Sequence, residues 1–312
     1  MNNTLDFAAH PRNWRNFRLV YPVIARRSRG LSVGVNLNPD RVCNYDCIYC
    51  EVNRRDFRPS KGYIPLPPKG LPRPQVNLAE VKSELITLLG MVKSGAIWQE
   101  PEFASTPAHL QRLNDIAFSG DGEPTTYPHF SEAIQAAIEA RAEVGFELDE
   151  VKLVLITNAT RFHRPNVQEG LAKLLANNGE IWAKLDAGTA EYFRLIDKTA
   201  IKYEQILENL LTAATNFPIN IQTCMLRVQG EVPSEQEIAA YCGRLNDILA
   251  RGGKLNKIQL YTVARPPAQT YATSLTDTEL TTIAQTIHNT TGLEVETFGG
   301  NVGIGDGKKD EG

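Results

Sequence analysis

LSVGVNLNPDRVCNYDCIYC, residues 31–50, runs a β-rich stretch straight into three cysteines. Residues 31–37 read as a strand, and Cys43, Cys47 and Cys50 follow it with the spacing C-x3-C-x2-C. The chain of 312 residues has only two other cysteines, Cys224 and Cys242. A tetrahedral zinc site takes four ligands, and the nearest histidines are distant in sequence, at His10 and His109. Three thiolates are enough to hold three irons of a [4Fe–4S] cluster, leaving the fourth iron open to a small molecule. Sulfur ligands favour iron–sulfur or zinc over hard cations.

Outward from that strand the chain alternates β-rich runs with amphipathic segments. DIAFSG (115–120), VKLVLIT (151–157), IWAKLDA (181–187), INIQTCML (219–226) and KIQLYTVA (257–264) are the further strand candidates. Helices are expected over 76–92, where Leu78, Val81, Leu85, Leu88 and Leu89 share one face, and near 130–144, 166–177, 202–215 and 234–250. Ser234 with Glu237, and Thr276 with Glu279, have the capping-box spacing, and Leu275 with Leu280 suits a hydrophobic staple. Repeated strand–helix units with nearly continuous apolar strands predict parallel strands covered by helices. The expected fold is therefore α/β, a partial (β/α)6 TIM-like barrel of mainly parallel strands, with a doubly wound open sheet as its competitor. In such barrels the chemistry sits at the carboxyl ends of the strands.

Three of those strand ends carry polar motifs. FSGDGEPT (118–125) follows the second strand, with Gly122, Glu123 and Pro124. Glycines let backbone approach a ligand closely, and a carboxylate accepts an ammonium. The turn has neither G-x-G-x-x-G nor a Walker lysine, and Asp121 and Glu123 would repel phosphate. ITNAT ends the third strand with Thr157 and Asn158, and AKLDAGT ends the fourth with Lys184 and Asp186.

The cysteine spacing, with an aromatic Tyr49 before the last thiol, resembles the signature of the radical S-adenosylmethionine superfamily, and GEP after the second strand is a second match. SRGLSVGVNLNPDRVCNYDCIYC (28–50), FSGDGEPT, KLDAGT and IQLYTVARPP (258–267) most resemble the enzymes related to wyosine-type tRNA synthetases. The resemblance implies a [4Fe–4S] cluster on Cys43, Cys47 and Cys50, with S-adenosylmethionine as cosubstrate. It implies cosubstrate contacts from Tyr49 on the adenine side and from Gly122, Glu123, Pro124, Thr157, Asn158, Lys184 and Asp186. It further implies reductive cleavage to a 5′-deoxyadenosyl radical, an external electron donor of flavodoxin or ferredoxin type, and a substrate that the sequence does not name. Lys184 departs from the residue commonest there, and no cysteine precedes Cys43, whereas the tRNA-modifying synthetases carry a second cluster upstream. The alternatives are an activase that installs a radical on a partner protein, a tRNA-modifying enzyme, and a non-enzymatic iron–sulfur carrier or zinc-stabilised module. Cys224 and Cys242 are read as core residues.

Net charge is −3, yet residues 1–61 hold eleven Arg or Lys against five acids. The whole chain gives no electrostatic argument for nucleic acid. The basic stretch PRNWRNFRLVYPVIARRSRG (11–30) has the composition to track RNA phosphates, with Trp14, Phe17 and Tyr21 available for stacking. The preferred reading is that its arginines brace the thiolate end of the barrel. The expected organisation is a basic extension over 1–30, the barrel over 31–298, and a flexible Gly-rich tail over 299–312. A proline-rich loop is expected over 58–75. MNNTLDFAAHPRNWRNF lacks an unbroken apolar run, and VKLVLI falls far short of the ~18–20 residues that span a bilayer. With an odd number of cysteines, the expected compartment is a reducing cytoplasm and no membrane partner is expected.

Overall fold

The computed structural model describes residues 14–52, 76–267 and 269–300. The proline-rich segment 58–75, the first thirteen residues of the basic extension and the tail from 301 lie outside the described residues.

Eight strands form one sheet in the order β1-β2-β3-β4-β5-β6-β8-β10. These are β1 (Val20–Ala25), β2 (Gly30–Val35), β3 (Leu113–Phe118), β4 (Lys152–Thr157), β5 (Gly179–Lys184), β6 (Ile219–Cys224), β8 (Leu255–Tyr261) and β10 (Glu294–Phe298). From β2 to β10 every neighbouring pair is parallel, so the sheet has six parallel crossovers. Parallel neighbours need a long return, and helices supply it here: α1 (Leu78–Lys93), α2 (Phe130–Glu143), α3 (Pro165–Leu175), α4 (Ala190–Asp197) with α5 (Tyr203–Asn216), α6 (Glu235–Ala250) and α7 (Asp277–Thr291). A small antiparallel pair, β7 (Leu226–Val228) with β9 (Ala272–Ser274), stands beside the carboxyl ends of β6 and β8.

Side chains along a strand alternate between faces, and the two faces of this sheet differ in chemistry. Ile116, Phe118, Leu153, Leu155, Ile181 and Ala183 belong to the main core shared with the helices. The alternate residues, among them Ser32, Asp115, Ala117, Val154, Trp182, Gln222 and Gln259, lie on the other face, where Gln222 donates to Gln259 at 2.8 Å. The barrel interior is thus more polar than one filled with layers of Val, Ile and Leu.

The sheet begins before residue 31. VYPVIA pairs antiparallel with β2, and Tyr21 lies opposite Gly34, where an added Cβ would fall 2.2 Å from the tyrosine ring. Residues 20–25, expected in the basic extension over 1–30, are an apolar run that pairs as an edge strand. α4 and β10 were also unread, both being short and partly polar. Where caps were expected they form in one case and diverge in the other. Thr276 and Glu279 make the full capping box, with Leu275 and Leu280 buried beside it. Ser234 accepts from the Glu237 backbone, but the Glu237 carboxylate turns away to accept from Gly188 and Thr189, tying α6 to the loop after β5.

Candidate active site

The cysteine loop leaves the carboxyl end of β2 and is fastened to three other parts of the barrel. Its Asn44 side chain accepts from Asn158 Nδ2 at 2.7 Å and donates to Thr160 at 2.6 Å, holding the loop to the residues after β4. Asp46 and Ile48 donate backbone hydrogen bonds to the Asp197 and Ile196 carbonyls at the end of α4. Glu51 pairs with Arg265, beyond β8, at 2.6 Å. Buried Tyr45 and Ile48 point inward and anchor the loop by apolar contact, Tyr45 edge-on to Phe193. Cys43, Cys47 and Cys50 are half-buried and none is in a disulfide, with the Cys50 N–H closing a turn on the Cys47 carbonyl at 3.0 Å. Among the described residues no three Cys, His, Asp or Glu side chains are already gathered at metal-binding separation.

After β3 the backbone turns through Gly122, where a Cβ would meet the Val42 carbonyl at 2.2 Å. The close approach that demands glycine is therefore to the chain's own cysteine-bearing loop. Glu123 caps a short turn begun by Pro124, and its carboxylate is 3% exposed. One oxygen accepts from the Thr125 N–H at 3.1 Å, the Thr125 hydroxyl and the Thr157 hydroxyl at 2.6 Å; the other accepts from the Asn158 N–H at 2.7 Å. Burial raises the Glu123 pKa, and these donors oppose the rise. Thr157 and Asn158 are likewise committed to the protein: the Thr157 hydroxyl accepts from Ala159, and the Asn158 carbonyl oxygen accepts from Thr160.

The end of β5 is charged instead. The Lys184 ammonium lies 2.9 Å from Cys47 Sγ and 3.1 Å from Asp186 Oδ2, contacts Asp197, and sits over the rings of Tyr45 and Tyr49 at 4.7 and 5.0 Å. Burial works against its charge, but Asp197, Cys47 and Asp186 hold its pKa well above the usual lysine value. Burial pushes the Cys47 thiol up, against the pull of Lys184, and lifts Asp197 to about 6. Asp186 accepts from the Cys224 N–H at 2.8 Å and from the Tyr49 hydroxyl. Cys224 is buried with Ile48, Ile196 and Leu226, and Cys242 is buried in the main core.

The residues marked out in the sequence thus fall on one end of the barrel, linked by direct bonds: Glu123, Thr157 and Asn158 in one network, Cys47, Tyr49, Lys184 and Asp186 in another. Asn44 and Asp197 are the members that sequence reading missed. Asn44 stood in plain view between two cysteines; Asp197 closes a helix that was not recognised. Three arginines of the basic stretch have partners within the protein. Arg26 donates to the Gly299 carbonyl and Arg29 pairs with Glu296 at 3.6 Å, both reaching the edge strand β10, while Arg27 lies over Tyr261 at the end of β8.

A mostly parallel α/β barrel with this layout is the fold of the radical S-adenosylmethionine enzymes. Two solved structures share it: TYW1 with a lysine-pyruvate adduct bound, at 17% identity and a TM-score of 0.52 over 84% of this chain and 74% of that one, and a radical SAM methyltransferase from Sphaerobacter thermophilus, at 13% identity and 0.53 over 89% and 68%. In sequence the chain is 27% identical over 250 residues to a UPF0026 protein of Helicobacter pylori, covering 78% of this chain and 66% of that protein. A second strain's UPF0026 protein is 26% identical over 254 residues, spanning 80% and 68%. No protein-family model matches the chain. Among the described residues no helix is long and apolar enough to cross a membrane.

Proposed function

We propose that the protein is a radical S-adenosylmethionine enzyme whose [4Fe–4S] cluster is held by Cys43, Cys47 and Cys50. The observation that carries this reading is the cysteine loop: three cysteines within eight residues, none in a disulfide, fastened at the carboxyl ends of the strands, with a largely buried ammonium 2.9 Å from the middle one. The donor set fits the group, because three soft ligands leave one iron open, and Lys184 offsets thiolate charge in a half-buried site. When bound, the cluster supplies the electron that cleaves the sulfonium of S-adenosylmethionine to methionine and a 5′-deoxyadenosyl radical.

The chain's own residues have separable tasks. Asn44, Asn158 and Thr160 fix the loop against β4. Glu123 fixes the turn after β3 to β4, so its carboxylate orients the backbone around Gly122. Tyr49 is positioned by Asp186, with its ring on the cavity wall where an adenine could lie. The substrate, the reductant and the fate of the cosubstrate are proposals of class only: a small molecule, an external one-electron donor, and hydrogen abstraction. Iron and sulfide analysis after anaerobic reconstitution tests the ligand assignment. About four irons and four sulfides per chain are expected for the unaltered protein and for Cys242→Ala, and a marked loss in Cys43→Ala, Cys47→Ala and Cys50→Ala. Full stoichiometry in all three would refute the assignment.

A further inference from the structure

The barrel encloses a cavity of about 270 Å³ bounded at one end by Tyr49, Cys50 and Gly122. Basic side chains line it as well. Arg26 and Arg27 reach into it from the turn between β1 and β2, and Arg265 from beyond β8. Apolar groups such as Ala117, Ile156 and Val263 and the rings of Trp182 and Tyr261 cover much of the rest.

The charges on that lining do not cancel. Three guanidinium groups face two acids, Glu51 and Asp115. Glu51 pairs with Arg265, and Asp115 is turned to the Ser32 hydroxyl. Arg26 has a backbone carbonyl as its partner, and Arg27 has the face of Tyr261 at 4.7 Å; among the described residues neither forms an ion pair with a carboxylate. Burial, and then the charge of Arg27, pull the Arg26 pKa down, and the attraction of Glu51 only partly opposes them. Holding adjacent guanidiniums in a half-enclosed, partly apolar space is costly, and an anion that bridges them removes the cost.

We propose that Arg26 and Arg27 form the anion-binding end of the substrate cavity, and that the molecule taken there is a small carboxylate with a largely apolar body. One excess positive charge on the lining suits a singly charged head better than a phosphate dianion. The planar guanidinium fork matches a carboxylate in two-point contact. The apolar and aromatic walls, together with the limited volume, set the body. That the bound carboxylate is the substrate of the radical rests on the function proposed above; the binding itself does not.

The test uses the full chain without cluster or cosubstrate, so that it stands apart from radical chemistry. Benzoate, its uncharged analogue benzamide and inorganic phosphate are titrated separately, with thermal stability and calorimetry as readouts. Saturable binding of benzoate, stronger than that of phosphate and absent for benzamide, is expected. It should weaken about tenfold or more in Arg26→Gln and Arg27→Gln, the scale of one charged hydrogen bond. Arg27→Lys should retain part of it, and Arg29→Gln, whose partner is Glu296, should retain all of it. Equal binding of benzoate and benzamide, or benzoate binding unchanged in both glutamine variants, overturns the proposal; phosphate binding more tightly than benzoate overturns the carboxylate assignment. A parallel titration with S-adenosylmethionine on the reconstituted protein distinguishes the source of the carboxylate. If Arg27→Gln weakens that titration and leaves benzoate unaffected, the arginines serve the cosubstrate and the proposal fails.

Discussion

The carboxyl ends of β4 and β5 are hydrogen-bonded neighbours, with Thr157 opposite Ala183, yet they solve the burial of charge in opposite ways. At β4 a single carboxylate, Glu123, is surrounded by neutral donors, and among the described residues no cation is bonded to it. At β5 a cation, Lys184, is clasped by two carboxylates, a thiol and two aromatic faces. Neutral donors can be removed one at a time at modest expense, whereas the ionic cluster depends on its one cation. The first arrangement suits a fixed brace. The second suits a place where the charge of nearby thiols changes when a metal binds, because Lys184 is already in contact with Cys47.

The comparison breaks first at Lys184. Lys184→Met leaves Asp186 and Asp197 buried without their cation and should destabilise the metal-free protein by about 3–5 kcal/mol in denaturant unfolding. Adding Asp197→Asn should recover part of that loss, since the two sites share one network. A loss below about 1 kcal/mol, with no rescue, would mean that the cluster of charges is loose in solution.

Asp115 extends the comparison to the other end of β3, where a carboxylate again has hydroxyl donors and, among the described residues, no cation bonded to it. Burial raises its pKa to about 6. Below the unfolded-state value near 4 the group is protonated in both states; as pH rises through 6 the folded protein must ionise a buried acid, and stability falls. Relative to Asp115→Asn, the unaltered protein should therefore lose on the order of 2–3 kcal/mol between pH 4 and 7. Chemical unfolding across that range checks the sign: parallel curves, or a relative gain with rising pH, would contradict the burial argument.

Glu123→Gln sharpens the contrast at β4. It keeps one acceptor oxygen and turns an amide toward groups that donate, at a cost of about 1–3 kcal/mol without any cosubstrate present. Unchanged thermal stability would show that the carboxylate is not the tie described here. The smallest effect belongs to Arg29→Ala, whose own side chain is exposed and whose pair with Glu296 should contribute about 0–1 kcal/mol; a larger loss would make the opening between β1 and β10 a structural seam.

Much of this could be read in advance because it is local. Cysteine spacing, apolar runs of strand length and a glycine between two turns are patterns within a few residues, and they led to the barrel and to the end of it that carries the site. What could not be read depends on distant partners. Glu237 had the spacing of a capping box, but its carboxylate found the Gly188 loop, 49 residues away. Glu123 reads from its neighbours as a ligand for an ammonium, and its bonds to Thr157 and Asn158 come from the end of β4, 34 and 35 residues away. Lys184 looked like a cosubstrate contact, and its anionic neighbours include Asp197, on a helix too short for periodicity to declare. β1 was hidden because its flanking arginines suggested an extension, although the six residues themselves pair edge to edge with β2.

The most direct test of the central claim is made on the anaerobically reconstituted protein, reduced with dithionite in the presence of S-adenosylmethionine. The account predicts time-dependent formation of 5′-deoxyadenosine and methionine that requires the cluster and disappears in Cys47→Ala. A fully loaded, reducible cluster that yields no 5′-deoxyadenosine would contradict it and leave an electron carrier as the better reading.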